Sequence, residues 1–246
     1  MAREKTGFWV GTVAAVFYPL TWMLGGRTAQ HSERIPRHGG AIVFLNHVSH
    51  IDPAYDAVFI HRNQRVPRIF AKESLFRKPI FGRMITGAGA IPVYRGSARA
   101  ADSLKAAKLA LQAGKLILIY PEGTITKDPN GWPMESRNGI ARLALECDVP
   151  VIPVARWGTL DILDAYRRRF RPFPRAHIRY NVGEPIDLSG YRGKRAGAKL
   201  LTEVTTVCMR EVTALLAELR GEPAPDGFYD PKAEVSPAKP AAEGGA

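Results

Sequence analysis

Residues 41–45 (Ala-Ile-Val-Phe-Leu) and 116–119 (Leu-Ile-Leu-Ile) are unbroken apolar runs, and each gives way at once to polar residues. Runs of that length read as buried strands, since a buried helix would need more residues. Around them the pattern predicts a short helix at 53–62, a strand at 67–71 and a basic amphipathic helix at 74–87. A small-residue loop then enters a short strand before Arg95. A strongly helix-forming stretch follows at 98–113 with Gly114 as its C-cap, and another helix at 138–146. Strands are predicted at 149–154 and 176–182, and a long amphipathic helix at 194–219. Pro150 and Pro153 would put the 149–154 strand at an edge or a bulge, because proline has no N–H for a ladder. Strands alternating with helices define an α/β fold, in which polar strand-end loops share one crevice at the carboxyl edge of the sheet.

The ends of the chain read differently. Residues 7–26 contain no charge and carry Phe8, Trp9, Phe17, Tyr18, Trp22 and Met23. Three readings stay open there: a transmembrane span, a helix lying in one leaflet, and a buried core helix. Pro19 and several small or polar residues weigh against a clean span, and the aromatics at both ends suit a bilayer interface. The basic segment after it (Arg27, His31, Arg34, Arg37, His38) suits head-group level. From Gly221 onward Pro, Ala, Gly and charge predominate, which predicts a disordered tail. The organisation expected is therefore an anchoring helical segment at 1–34, a catalytic domain at 35–220 and a tail at 221–246.

Charge narrows the partners. The net charge is +12, and the acidic tail leaves the first 220 residues near +15. Such a body expects anionic partners: lipid head groups, phosphorylated substrates or nucleic acid. Arg167, Arg168, Arg169, Arg171 and Arg175 form the densest cluster, readable as a solvated face, a membrane contact or a coenzyme-phosphate site. The 74–87 helix is likewise either core-facing or docked on anionic membrane. Cys147 and Cys208 stand far apart in no ligand-like spacing, so free thiols in a reducing compartment are the default.

The chemistry sits where the buried runs end. His47 closely follows the first run and Asp52 lies five residues on, read as a helix N-cap with Pro53 at the first helical position. A carboxylate on one imidazole nitrogen fixes the tautomer and leaves the other free to take a proton. Against this stands the plainer reading of His47 and His50 as loop residues. Tyr120-Pro-Glu122-Gly123-Thr124 after the second run supplies a matching loop. There is no Gly-x-Ser-x-Gly elbow and no phosphate loop, and the spacing of His47, His50 and Asp52 argues little for a metal.

In combination these blocks resemble the glycerolipid acyltransferase family typified by bacterial 1-acyl-sn-glycerol-3-phosphate acyltransferases. Asn46-His47-Val-Ser-His-Ile-Asp52 is similar to its His-x4-Asp block, Gly89 to Arg95 to the second, Tyr120 to Thr124 to the Glu-Gly-Thr block, and Val151-Ile-Pro153-Val to the fourth. The resemblance implies a mixed, largely parallel α/β sheet wrapped by helices, monotopic membrane attachment and an acyl-thioester donor. No cofactor or metal is expected beyond that donor, acyl-CoA or acyl carrier protein. It assigns His47 and Asp52 as a general-base pair. Arg95 would bind acceptor phosphate and Glu122, Gly123 and Thr124 the acceptor head or oxyanion. Where the family has arginine after Glu-Gly-Thr this chain has Ile125, so Lys72, Lys127 or Arg137 would have to supply the missing charge. The expected partners are a glycerophospholipid acceptor and the cytoplasmic face of an anionic membrane, where the chain would be held as a monotopic or single-span protein. The acceptor expected is lysophosphatidic acid or glycerol 3-phosphate, with another lysophospholipid or a glycolipid as the alternative. A non-enzymatic role on nucleic acid is disfavoured, because His47, Asp52 and Glu122 are poor choices for holding a polyanion.

Overall fold

The two apolar runs lie side by side in the middle of a sheet. The computed structural model describes residues 7–94 and 99–231. Along the chain run α1 (Phe8–Leu24), β1 (Gly25–Gln30), β2 (Ala41–Leu45), α2 (Asp52–Arg62), β3 (Pro67–Lys72), α3 (Glu73–Phe76), α4 (Pro79–Gly87) and β4 (Ile91–Val93). Then come α5 (Ala100–Gln112), β5 (Leu116–Ile119), α6 (Gly139–Glu146), β6 (Val151–Trp157), β7 (Leu163–Asp164), β8 (Arg169–Phe170), β9 (Ala176–Val182) and α7 (Ala198–Arg220). Among the described residues seven strands form one sheet in the order β1-β9-β6-β2-β5-β3-β4, and β7 with β8 makes a separate hairpin. Every neighbouring pair in the large sheet is parallel except β6 with β9. The expected mixed, largely parallel α/β sheet is what forms.

Alternation along the buried strands builds a core on each face. Ile42, Phe44, Ile117 and Ile119 point to one side and pack with Leu111 of α5, Leu143 of α6 and Val204, Cys208 and Val212 of α7. Ala41, Val43, Leu45, Leu116 and Leu118 point to the other and meet Tyr55, Phe59 and Ile60 of α2 and Leu24 of α1. Burial on both faces is why these strands read as continuous apolar runs. Cys147 and Cys208 are both buried and unbonded.

Several expectations are corrected. β6 is a central strand. The Pro153 carbonyl accepts from the Gly183 N–H, so its missing donor faces the side where β9 has already ended at Val182. Proline is accommodated because that side of the strand is locally an edge. The 74–87 helix is two helices, α3 and α4, with Pro79 at the first turn of α4. Residues 26–30, the start of the 26–40 segment expected at head-group level, belong to β1, paired in parallel with β9 from Gly25↔Ala176 to Gln30↔Asn181. The sheet thus begins inside the segment set apart as an anchor. Among the described residues no helix is long and apolar enough to cross a membrane. The 17 residues of α1 reach about 25 Å at 1.5 Å per residue, short of a hydrocarbon core of about 30 Å. The spanning reading is withdrawn. At the other end, residues 221–231 are placed, and the Tyr229 carbonyl accepts from Glu135 N–H. The rest of the expected tail lies outside the described residues.

Candidate active site

β2 and β5 are neighbours with Phe44 opposite Ile119, so the loops that leave their carboxyl ends must share one crevice. The first loop carries His47 and the second Glu122. His47 Nδ1 and Asp52 Oδ2 are 2.8 Å apart. Asp52 opens α2 as its first residue, one place inside the N-cap position expected. Its side chain turns back over the loop, and Oδ2 accepts from the backbone N–H groups of Val48 and Ser49 at 2.8 Å each. The loop is thereby wound around the carboxylate, which holds the imidazole at a set angle.

The carboxylate is itself held from below. Arg156, fully buried in β6, reaches Asp52 Oδ2 at 2.6 Å and Asp56 Oδ1 at 3.0 Å. It also donates to the Asn46 carbonyl at 2.9 Å and to Thr159 Oγ1 at 2.6 Å, and that hydroxyl donates to Asp52 Oδ1 at 2.6 Å. Asp56, one helical turn after Asp52, accepts from the Tyr120 and Tyr180 hydroxyls at 2.5 and 2.8 Å. Burial alone would raise the Asp52 carboxyl, but Arg156 and the hydrogen bonds from His47 and Thr159 outweigh it and hold it below the usual range. Asp52 is therefore an anion and can only accept, so in the neutral imidazole of His47 the hydrogen is on Nδ1 and the lone pair on Nε2. The Tyr120 ring stacks on the imidazole at 4.3 Å and 21°, which limits its rotation.

Glu122 sits beneath this pair. Its Oε1 accepts from His47 N–H at 2.8 Å and its Oε2 from Met134 N–H at 3.1 Å. Burial pushes its carboxyl up to about 8, against the opposing pull of those two amides. Glu122 thus ties the His47 loop to the loop after β5, with its side chain turned into the protein. Gly123 takes a left-handed φ of 73°, and its N–H donates to the Tyr120 carbonyl at 2.9 Å. A Cβ there would lie 3.2 Å from Arg137 Nε, so the guanidinium passes close over this turn.

His47, Gly123, Thr124, Arg137 and Lys72 all line one cavity of about 1010 Å³. Its remaining wall is mainly apolar, with Val13 and Phe17 of α1, Ala57 and Val58 of α2, and Phe81 and Ile85 of α4. Lys72 and Arg137 are exposed cations at its rim. Arg95 lies outside the described residues. Ile125 is buried, and its carbonyl accepts from the Tyr166 hydroxyl at 3.2 Å. Among the described residues no group of three or more His, Cys, Asp or Glu is placed to hold a metal ion.

Sequence reasoning missed Arg156, Asp56, Thr159 and Asn46. A signal was present: an arginine inside an apolar strand requires buried partners, and Asp56 stands four residues after Asp52 on the same helix face.

An imidazole bonded to a buried carboxylate and facing a mainly apolar cavity has the geometry to take a proton from a bound hydroxyl. The comparisons give the family. The family described as Acyltransferase matches residues 27–157, which include the His47 loop, the Glu122 loop and Arg156. This chain belongs to the acyltransferase family. It is 27% identical over 157 residues to the N-acylphosphatidylethanolamine synthase of Arabidopsis thaliana. It is 27% identical over 136 residues to the chloroplastic 1-acyl-sn-glycerol-3-phosphate acyltransferase of Brassica napus, and 31% over 137 residues to the 1-acyl-sn-glycerol-3-phosphate acyltransferase of Limnanthes douglasii. Those stretches take in 61%, 54% and 54% of this chain but only 52%, 38% and 47% of the relatives' own lengths. The crystal structure of the 1-acyl-sn-glycerophosphate (LPA) acyltransferase from Thermotoga maritima shares the fold. Its TM-score is 0.66 at 24% identity, covering 87% of this chain and 81% of that one.

Proposed function

We propose that the chain is a membrane-associated acyltransferase that moves a fatty acyl group from a thioester to a hydroxyl of lysophosphatidic acid or glycerol 3-phosphate. The observation that carries this is the 2.8 Å contact between His47 Nδ1 and Asp52 Oδ2, with His47 lining the apolar cavity of about 1010 Å³. His47 Nε2 takes the proton from the acceptor hydroxyl as its oxygen attacks the thioester carbonyl. The C–S bond then breaks, the acyl group is on the acceptor oxygen, and the thiolate takes up a proton. No acyl-enzyme intermediate is needed, because His47 acts as a base on a hydroxyl that the acceptor itself brings. As the imidazolium forms, Asp52 stabilises it, and Arg156 keeps Asp52 in place. Lys72 and Arg137 at the rim supply positive charge for the acceptor phosphate, the role that the resemblance also gives to Arg95. The basic body suits either coenzyme A or an acidic carrier protein as the leaving thiol.

The membrane part of the reading rests on α1 as an interfacial helix. It is too short to span, and it exposes Phe8, Trp22 and Met23 to solvent. A second acceptor class, a lipid without free glycerol phosphate, is favoured by Ile125 alone, which leaves an apolar buried side chain where the family has a cation.

The test is acyl transfer from palmitoyl-CoA by a membrane fraction. The acceptors are glycerol 3-phosphate, 1-acyl- and 2-acyl-glycerol 3-phosphate and a phosphate-free glycolipid, with His47→Ala as control. Transfer to a lysophosphatidic acid, lowered at least ~10²-fold in the variant, is the outcome expected for loss of a general base. Near-normal transfer by folded His47→Ala would overturn the mechanism.

A further inference from the structure

The arginine cluster is not part of the catalytic machinery described above. Residues 163–170 fold as a hairpin, β7 on β8, with Arg167 and Arg168 in its turn and Arg169 on its returning strand. Arg167 bonds locally to Asp164, through its N–H at 3.0 Å and its guanidinium at 3.7 Å. Arg168, Arg169 and Arg171 are exposed, and among the described residues no carboxylate pairs with them. Arg175 turns toward α1: its guanidinium lies 5.1 Å over the Trp22 ring and donates to the Trp22 carbonyl.

That contact joins two apolar surfaces into one. Phe170 and Phe173 are 60% and 69% exposed beside the arginines, and Trp22 is 68% exposed at the near end of α1. The far end of α1 rests on α4, where a Cβ on Gly87 would fall 2.1 Å from the Trp9 ring, so only glycine allows that approach. α4 in turn exposes Ile80 at 83%, with the cations Arg77, Lys78 and Arg83 close by in sequence. Two contacts, Trp9 on Gly87 and Arg175 on Trp22, thus link exposed apolar side chains of α4 (Ile80), α1 (Phe8, Val16, Trp22, Met23) and the hairpin loop (Phe170, Phe173), with cations at both ends. Apolar groups set among arginines match a bilayer interface, where rings sit at head-group level and guanidinium groups meet phosphates.

We propose that the β7–β8 hairpin and the 171–175 loop are a foot for anionic phospholipid, and that this foot gives the chain its preference for negatively charged membrane. The proposal rests on the membrane attachment proposed above and adds the residues that read charge. α1 and α4 supply the apolar hold common to any bilayer, and Arg168, Arg169 and Arg171 supply the part that depends on head-group charge. Aromatic residues interleaved with the arginines, and joined to α1, favour a lipid surface over the phosphates of a soluble coenzyme.

The experiment is flotation of the full chain with vesicles of phosphatidylcholine alone and of phosphatidylcholine mixed with phosphatidylglycerol. Wild type should favour the anionic vesicles, and the preference should fall steeply as salt is raised. Each arginine near an anionic surface contributes roughly 1 kcal/mol, so Arg168→Gln/Arg169→Gln/Arg171→Gln should lose on the order of 100-fold in partition to the anionic vesicles. Binding to neutral vesicles should change little. The triple lysine variant at the same positions should float as wild type. Transfer from palmitoyl-CoA to a detergent-dispersed acceptor should be the same for all three proteins, which separates this proposal from the catalytic reading. Equal flotation of the triple glutamine variant, or wild-type binding indifferent to salt, would overturn the foot. So would a raised KM for palmitoyl-CoA in detergent with flotation unchanged, which would assign the arginines to the coenzyme.

Discussion

Replacing Arg156 by methionine tests whether the His47–Asp52 pair, the proposed general base, is held by a buried charge network. The guanidinium is fully buried between Asp52 at 2.6 Å and Asp56 at 3.0 Å, both also fully buried. Methionine fills similar space but leaves two carboxylates facing each other without a cation. Asp52 keeps His47 and the amides of Val48 and Ser49, and Asp56 keeps the hydroxyls of Tyr120 and Tyr180. Breaking a buried pair from one side typically costs about 3–5 kcal/mol, a large part of the roughly 5–15 kcal/mol that holds a domain together. At about 2–4 °C per kcal/mol for a chain of this size, the midpoint of thermal unfolding should fall by roughly 6–20 °C.

The loss should depend on pH. Burial already raises the Asp56 carboxyl, with Arg156 pulling it the other way. Without the arginine that carboxyl rises further, so the folded variant binds a proton more readily than the unfolded chain. Its extra instability is then absent below the unfolded value near ~3.9 and grows as pH rises through the raised folded value. Thermal unfolding followed by circular dichroism, at one scan rate and several pH values between 4 and 8, measures this. The gap to wild type should widen with pH, and adding Asp56→Asn should narrow it, because one of the two uncompensated carboxylates is then gone. A midpoint lowered by less than about 2 °C per expected kcal/mol at every pH, or a gap that does not vary with pH, would refute the network argument.

Three further outcomes follow from the same geometry. Asp52→Asn should lower kcat at least ~10²-fold with little change in KM, because the imidazole loses the group that fixes its tautomer; steady-state kinetics on the folded variant decides it. Glu122 has its folded carboxyl raised to about 8, so the folded state resists ionising it. Its contribution to stability should therefore decline as pH climbs from the unfolded value near ~4.3 to about 8, and Glu122→Gln should flatten that part of the melting profile. Gly87→Ala would drive a methyl into the Trp9 ring, and overpacking of this kind costs about 1–3 kcal/mol. The measurement is the midpoint of thermal unfolding, and an unchanged midpoint would mean that α1 does not rest on α4 as described.

Where burial on both faces dictates composition, the sequence alone determined the outcome. Residues 41–45, 116–119 and 176–182 are strands because only continuous apolar or alternating runs can lie inside a sheet covered by helices. The dyad was legible for a related reason: His47 and Asp52 are five residues apart, so a single turn suffices to join them. The family blocks were legible because their residues are local in sequence. β1 was not, since Gly-Gly-Arg-Thr-Ala-Gln has no apolar pattern and becomes a strand only by pairing with β9, some 150 residues away. Pro153 misled because a proline forbids one side of a strand, and only the tertiary structure decides whether that side meets a neighbour. The same holds for Arg156 and Asp56. Each alone is a charge that no core could accept, and they become admissible together only when β6 is laid beside the strand that leads to α2. Local chemistry is written in short stretches of sequence, whereas compensation between buried charges, and the surface that α1, α4 and the arginine hairpin make together, exist only once distant segments have been brought into contact.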